Sequence, residues 1–474
     1  MMLKKKYLNM PLGIWIILIS ITLFFYSIYA YFDIVTTTEN GLTIWYMLIQ
    51  RKPLGEFYVT QYPLLSDAYP PSYDFFIYII FAIWNIPLFI YEQITNKSFA
   101  NGFVTMWYAK AIVLPFLVLC IYEVYAITLS ITDDVKKAGW SGFTFAFSVI
   151  TFQAIVIMNG YDVISLFFTL CGIRAYFEEK NKQFIGWFAC AIACKLFALW
   201  IFIPLVLLRW KKIWKILFIG IASMGFVIIP KVYFNLYRII SGTNNFVDGI
   251  NNYVMGYIGE YLWSGEAPLA IGTIPLFFSI TFIIWVICWF CKQTLTKEKV
   301  IYILLLSMSA FFLTCDTHPQ WMLLLMPYIA ILECISWNQL SLKLFLEVCT
   351  GVTYQLWQAR RRPQCYSYNI INNMLHFEKG DREFWYTGIW TYISKLADIT
   401  GVQMDYIWLL FRSILVAAFL VLLVLLRPKT SKKEEFPGDE ERVFLIKSVY
   451  SMLFLLIPLL GVIQRKMGYL VESC

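Results

Sequence analysis

The chain of 474 residues is divided into about a dozen apolar runs, most of them long enough to cross roughly 30 Å of hydrocarbon as helices. In a bilayer every backbone N–H and C=O must find its partner inside the protein, so such a chain folds as a helix bundle or a closed barrel. A barrel is excluded, because its strands alternate apolar and polar and run only about ten residues. The expected fold class is therefore all-α, a polytopic integral membrane protein. Charge content agrees: 14% of residues are charged and 60% hydrophobic, against roughly 25% charged in soluble domains. The net charge of +8 reads as basic residues at cytoplasmic helix ends and implies no nucleic acid.

Spans are expected at 12–32, 108–131, 141–158, 161–177, 213–233, 269–291, 300–315, 320–335, 341–356, 404–426 and 443–463. Lys4, Lys5 and Lys6 precede the first, and no small-residue cleavage site follows it. It reads as an uncleaved span with its amino end inside. The run 184–208 has Lys180 and Lys182 before it and Arg209, Lys211 and Lys212 after it. Both clusters belong in the cytoplasm, which a single crossing cannot satisfy. The run predicts a hairpin of two short helices with Lys195 near its tip. The run 73–91 must lie along the outer surface or re-enter, or else Lys136 and Lys137 fall outside. Residues 33–107 then form one long extracytoplasmic loop holding juxtamembrane helices. About thirteen crossings result, with the carboxyl end outside.

Under this sidedness the polar turns share the outer face. The cytoplasmic loops are short, with no P-loop and no GxGxxG after a strand, so chemistry on this chain uses a substrate activated without nucleotide. The eleven Cys are scattered, only two His occur, and no spacing suggests a metal.

Asp33 follows the first span directly. It reads as a polar helix stop, or as a general base or cation ligand whose pKa partial burial would raise. Glu39 is the second acid, or a cap for a helix starting near Asn40. Tyr58, Tyr62, Tyr69 and Tyr73, interleaved with Pro63, Pro70 and Pro71, form a belt or a face on which sugars stack. Asp162, after Asn159-Gly160-Tyr161, is a helix cap or a functional carboxylate. Lys195 is the lone charge between Phe188 and Trp200. It snorkels, or it meets an anion such as a lipid phosphate. His318 and Gln320 are loop residues or ligands of phosphate and sugar hydroxyls. Arg360, Arg361 and Arg362 lie on the expected outer face, suited to an anionic headgroup or a diphosphate.

In order along the chain, these stretches resemble the GT-C superfamily of polytopic glycosyltransferases, which use polyprenyl-phosphate sugars. They are Tyr31-Phe-Asp-Ile-Val-Thr-Thr-Thr-Glu39 with Gly55-Glu-Phe-Tyr58, then Ala68-Tyr-Pro-Pro-Ser-Tyr73, then Asn159-Gly-Tyr-Asp162. Ala193-Cys-Lys-Leu-Phe-Ala198 and His318-Pro-Gln-Trp321 complete the set. Asn159 precedes Gly160 where the family has a looser GQ pair, and Ala198 stands where it has Pro. The resemblance covers residues 10–335. It implies a GT-C-like catalytic transmembrane module over 1–335 and a variable transmembrane region over 336–474, with an extracytoplasmic loop at 357–403.

It further implies a donor sugar on undecaprenyl or dolichyl phosphate, and inverting transfer to an extracytoplasmic glycan, glycolipid or protein. Asp33 would be the general base, with Glu39 as the understudy. Lys195, His318, Arg360 and Arg361 would hold donor phosphate or lipid, and Asp162, Tyr69 and Gln320 the sugar or acceptor. Some relatives use a divalent ion such as Mg or Mn. The competing readings are a lipid-linked saccharide flippase or transporter, for which inverted repeats are expected and none is found, and a polysaccharide polymerase or ligase.

Overall fold

The computed structural model describes residues 6–8, 10–58, 74–95, 103–242, 270–271, 274–315, 317–361, 389–428 and 440–456. Within these the chain is helical, apart from two antiparallel pairs of two-residue strands at 6–11 and 270–275. Its helices are α1 (Leu12–Ile28), α2 (Phe32–Ile49), α3 (Phe75–Trp84), α4 (Ile86–Thr95), α5 (Phe103–Ala111), α6 (Val113–Thr132) and α7 (Val135–Ala146). A short α8 (Val149–Thr151) runs into a π turn, Phe152–Ile157. Then come α9 (Asp162–Phe177), α10 (Asn181–Cys194), α11 (Leu199–Arg209), α12 (Ile213–Ser223) and α13 (Gly225–Ser241). The later helices are α14 (Leu276–Phe290), α15 (Lys297–Thr314), α16 (Met326–Ile335), α17 (Leu340–Arg361), α18 (Ile389–Thr400), α19 (Met404–Leu425) and α20 (Glu440–Leu453).

By length and composition, Met106–Thr132 and Met404–Leu425 each suffice to cross a membrane. Three pairs pass the same test together but are bent: α3 with α4 by 58°, α7 with 149–157 by 44°, and α12 with α13 by 61°. Outward faces are apolar: Trp214 is 83% exposed, Phe218 70% and Ile240 84%. Such a surface suits hydrocarbon rather than water. The thirteen crossings expected from the sequence exceed what these tests count.

Two features of the amino-terminal region differ from the sequence reading. The first helix ends at Ile28 rather than Phe32, and the next begins at Phe32 rather than near Asn40. Glu39 is therefore an interior residue of α2, buried, and caps nothing. Thr36, Thr37 and Thr38 look poorly suited to a helix, yet Thr37 and Thr38 donate to the carbonyls of Asp33 and Ile34 four residues back. Back-bonding of this kind satisfies the hydroxyls inside a buried helix. A Cβ on Gly41 would stand 2.7 Å from the Phe81 Cβ, so this glycine lets α2 and α3 approach closely.

The break between α1 and α2 is clamped. The buried Lys110 ammonium donates to the carbonyls of Tyr26, Ser27 and Tyr29 (3.2 Å to Ser27, 2.9 Å to Tyr29). A cation there meets the negative end of α1. Tyr29 Oη in turn donates to the Leu455 carbonyl at 2.6 Å.

The expected hairpin forms. Arg209 Nη1 donates to Asn181 Oδ1 at 3.0 Å, joining the end of α11 to the start of α10. Phe202 stacks on Phe184 and packs on Phe188 between the two helices. The break holding Lys195 is at the opposite end.

At a distance from that tip, Lys447 of α20 pairs with Glu347 of α17 and donates to the Thr144 carbonyl. Both side chains are almost fully buried. Removing one member of a buried pair costs about 3–5 kcal/mol, because the other is left uncompensated. Lys447→Ala is therefore expected to lower the melting temperature in detergent by several degrees. The double change Lys447→Met with Glu347→Met should recover most of that loss; a single variant as stable as wild type would contradict the pairing.

Candidate functional site

Three residues far apart in sequence converge at the tip of the α10–α11 hairpin. Asp162 is the first residue of α9, in an Asn-Gly-Tyr turn whose Asn159 has φ +48°. That left-handed conformation is one asparagine tolerates. Gly160 donates its N–H to the Ala154 carbonyl at 2.7 Å. A Cβ on it would lie 2.9 Å from that oxygen and 3.4 Å from Gln320 Cβ. The turn is thus wedged between the π turn and the 319–324 segment.

Lys195 ends α10 in extended backbone before a 3-10 turn, Leu196–Ala198. Its Nζ lies 3.0 Å from Asp162 Oδ1, with side-chain exposures of 11% and 2%. The ammonium also faces the rings of Tyr161 at 5.2 Å and Trp321 at 5.8 Å, within cation–π range. Ser165 donates to the Ala191 carbonyl and ties the two helices one turn below.

Asp33 occupies the first turn of α2, where the helix dipole favours an anion. Burial nonetheless pushes its carboxyl up to about 6; Lys195 pulls the value down and Asp162 pushes it further up. The three charges therefore sense one another: a strongly buried ion pair and beside it a carboxyl poised near neutrality.

The late turn closes the group. His318 packs on Trp321 at 5.0 Å, and Trp321 packs on Phe197 of the hairpin tip at 4.6 Å. Helix α17 docks on the same turn, with Gln358 Nε2 donating to the Thr317 carbonyl at 2.7 Å and the hydroxyls of Thr317 and Tyr354 2.7 Å apart. Residues on both sides of the boundary expected at 335 thus contribute to this region.

Asp33, Asp162, Lys195, His318 and Gln320 of the sequence-derived set are brought together. Glu39 sits in the middle of α2, roughly a third of a turn around from Asp33. Arg360 and Arg361 are the last residues of α17, which puts their backbone just past Gln358; their side chains, together with Tyr69 and Arg362, lie outside the described residues. Sequence reasoning missed Gln153, Thr350, Tyr354 and Gln358. Polar spacing on α17 was the available signal.

Among the described residues no group of three or more His, Cys, Asp and Glu is placed to hold a metal. The Lys195 ammonium sits on the Asp162 carboxylate.

No protein-family model matches the chain, and no curated protein does. Two crystal structures of ArnT from Cupriavidus metallidurans, one bound to undecaprenyl phosphate and one in the apo state, align with it. Each covers 95% of this chain and 77% of its own, at 14% identity and TM-scores of 0.47 and 0.46 respectively.

The Asp33 shift has two measurable consequences. Infrared titration of wild type against Asp33→Asn is expected to give a carboxyl transition near pH 6; a midpoint near pH 4 would contradict its burial. The folded-state pKa is raised, so the native state holds the extra proton between about pH 4 and 6 and loses stability as pH rises through that window. Asp33→Asn is therefore expected to melt above wild type at pH 7.5 and close to it at pH 4, by thermal unfolding in detergent.

Proposed function

We propose that the protein is a membrane glycosyltransferase that moves a sugar from a polyprenyl-phosphate carrier to an acceptor on the extracytoplasmic face. One observation carries the reading. Asp162 and Lys195, from two helices, form a buried ion pair, and Asp33, in the first turn of a third helix, comes within the electrostatic reach of both. Each of these residues lies in one of the stretches that carry the GT-C resemblance.

The chemistry follows from what each group can do. The acceptor hydroxyl gives its proton to Asp33 as its oxygen bonds to the anomeric carbon, on the face opposite the phosphate. The bond from that carbon to the phosphate oxygen breaks, and its electron pair leaves with the lipid phosphate. A base with a pKa near operating pH serves the first event, and inversion follows from the opposite-face attack. Lys195 meets the charge that develops on the leaving phosphate. Asp162 holds the ammonium in place. The aromatic rings of Tyr161 and Trp321 around it exclude water, which strengthens the attraction. No step is assigned to a metal. The multi-pass helical body would keep the lipid tail in hydrocarbon while the sugar faces outward.

The reading is tested with purified protein in proteoliposomes and a panel of radiolabelled undecaprenyl-phosphate sugars. Asp33→Asn is expected to lower turnover by about 10²–10⁴-fold while donor still binds. Lys195→Met, made together with Asp162→Asn so that no buried charge is stranded, is expected to weaken donor binding at least tenfold. Normal turnover by Asp33→Asn would remove the proposed base. Lipid crossing the bilayer with no transfer from any donor would move the weight to a flippase.

A further inference from the structure

Beside the charged group lies a second cluster that, among the described residues, contains no charge. The π turn places Gln153 fully inside the protein, and among the described residues neither its Oε1 nor its Nε2 has a hydrogen-bond partner. The same holds for Oε1 of Gln320, Oε1 of Gln358, Oγ1 of Thr350 and Oδ1 of Asn159, all in buried residues. Buried amides are normally satisfied, and each exception needs a reason. Five such residues in one region are a concentrated exception.

They share three contiguous walls. Gly160 donates to the Ala154 carbonyl, next to Gln153, and a Cβ on it would lie 3.4 Å from the Gln320 Cβ. Gln358 and Tyr354 of α17 bind the 317–318 turn that leads into Gln320. Gly351, next to Thr350, meets Val149 just before the π turn, where an added Cβ would lie 2.9 Å from the Val149 Cβ. Thr350, Tyr354 and Gln358 repeat at intervals of four, so they occupy one side of α17. Trp321, whose ring faces Lys195, connects this region to the phosphate-seeking ammonium. The π turn itself fits, since such irregularities within helices concentrate at functional sites.

We propose that these walls form the binding pocket for the donor's sugar, and that they take an uncharged sugar. This deepens the transferase reading and rests on it. Amide and hydroxyl groups exchange donors and acceptors with sugar hydroxyls in either sense. Among the described residues the cluster itself offers amides and hydroxyls and no charged side chain, so a carboxylate or ammonium on the sugar would find no counter-charge within it. Selection among sugars therefore lies with Gln153, Gln320, Thr350 and Gln358, apart from the phosphate attraction at Lys195.

The test measures binding of three lipids by isothermal titration: undecaprenyl phosphate, its mannose ester and its glucuronic acid ester. Wild type is expected to bind the mannose ester at least tenfold more tightly than the glucuronate. Gln153→Leu replaces an unpartnered amide by an apolar group of similar size, so its melting temperature should hold or rise. It is expected to lose at least tenfold in affinity for the mannose ester and less than twofold for undecaprenyl phosphate. Thr350→Val carries the same comparison should Gln153→Leu fail to fold. Equal losses for both lipids, no loss for either, or glucuronate bound as well as mannose would overturn the pocket while leaving the transferase standing. Wild type that binds none of the three lipids would end both.

Discussion

The contact between Lys195 and Asp162 is the constraint around which the region is arranged. Neither charge could stay ionised alone where they lie, because an isolated ion in such surroundings loses far more solvation than packing returns. Together they fix the amino end of α9 against the broken end of α10. The break also makes the hairpin: a continuous helix from Asn181 to Arg209 could not bring Arg209 back to Asn181. Extended backbone at Lys195 stops α10 at the right height. The rings of Tyr161 and Trp321 then pack against the ammonium of that pair.

The positioning of Asp33 is a separate problem, met by different means. Its helix starts after a three-residue interruption, and interruptions are costly inside a membrane protein because they free backbone carbonyls. Lys110 accepts that burden by donating to three of them. The site thus uses one lysine to hold a carboxylate and another to hold a chain reversal. The two roles look identical in the sequence, as single basic residues inside apolar runs.

Legibility divided along the same physical line. Asp33, Asp162, Lys195 and His318 could be picked out because a charge or imidazole in an apolar run is expensive and so conspicuous. The hairpin could be read because basic clusters at both ends of 184–208 demanded one side of the membrane. The start of α2 was misread because an acid before Asn40 looks like a helix cap, whereas the helix already runs from Phe32 with Thr37 and Thr38 back-bonded to its own carbonyls. Gln153 was invisible for the opposite reason. A neutral amide costs little in a hydrophobic run, and the π turn that isolates it has no sequence signature. Lys110 gave no clue to its role, since its partners are carbonyls that every residue possesses.

The hydrogen bond from Tyr29 to the carbonyl of Leu455 joins residues 426 positions apart. Tyr29 lies at the interruption from which the Asp33 helix departs. During synthesis that helix emerges and enters the membrane long before Leu455 has been made. Its final orientation must therefore wait for the carboxy-terminal helices to insert and pack. Until then that bond is unmade, and a ribosome-bound chain carries Asp33 on a helix that still lacks its last tie.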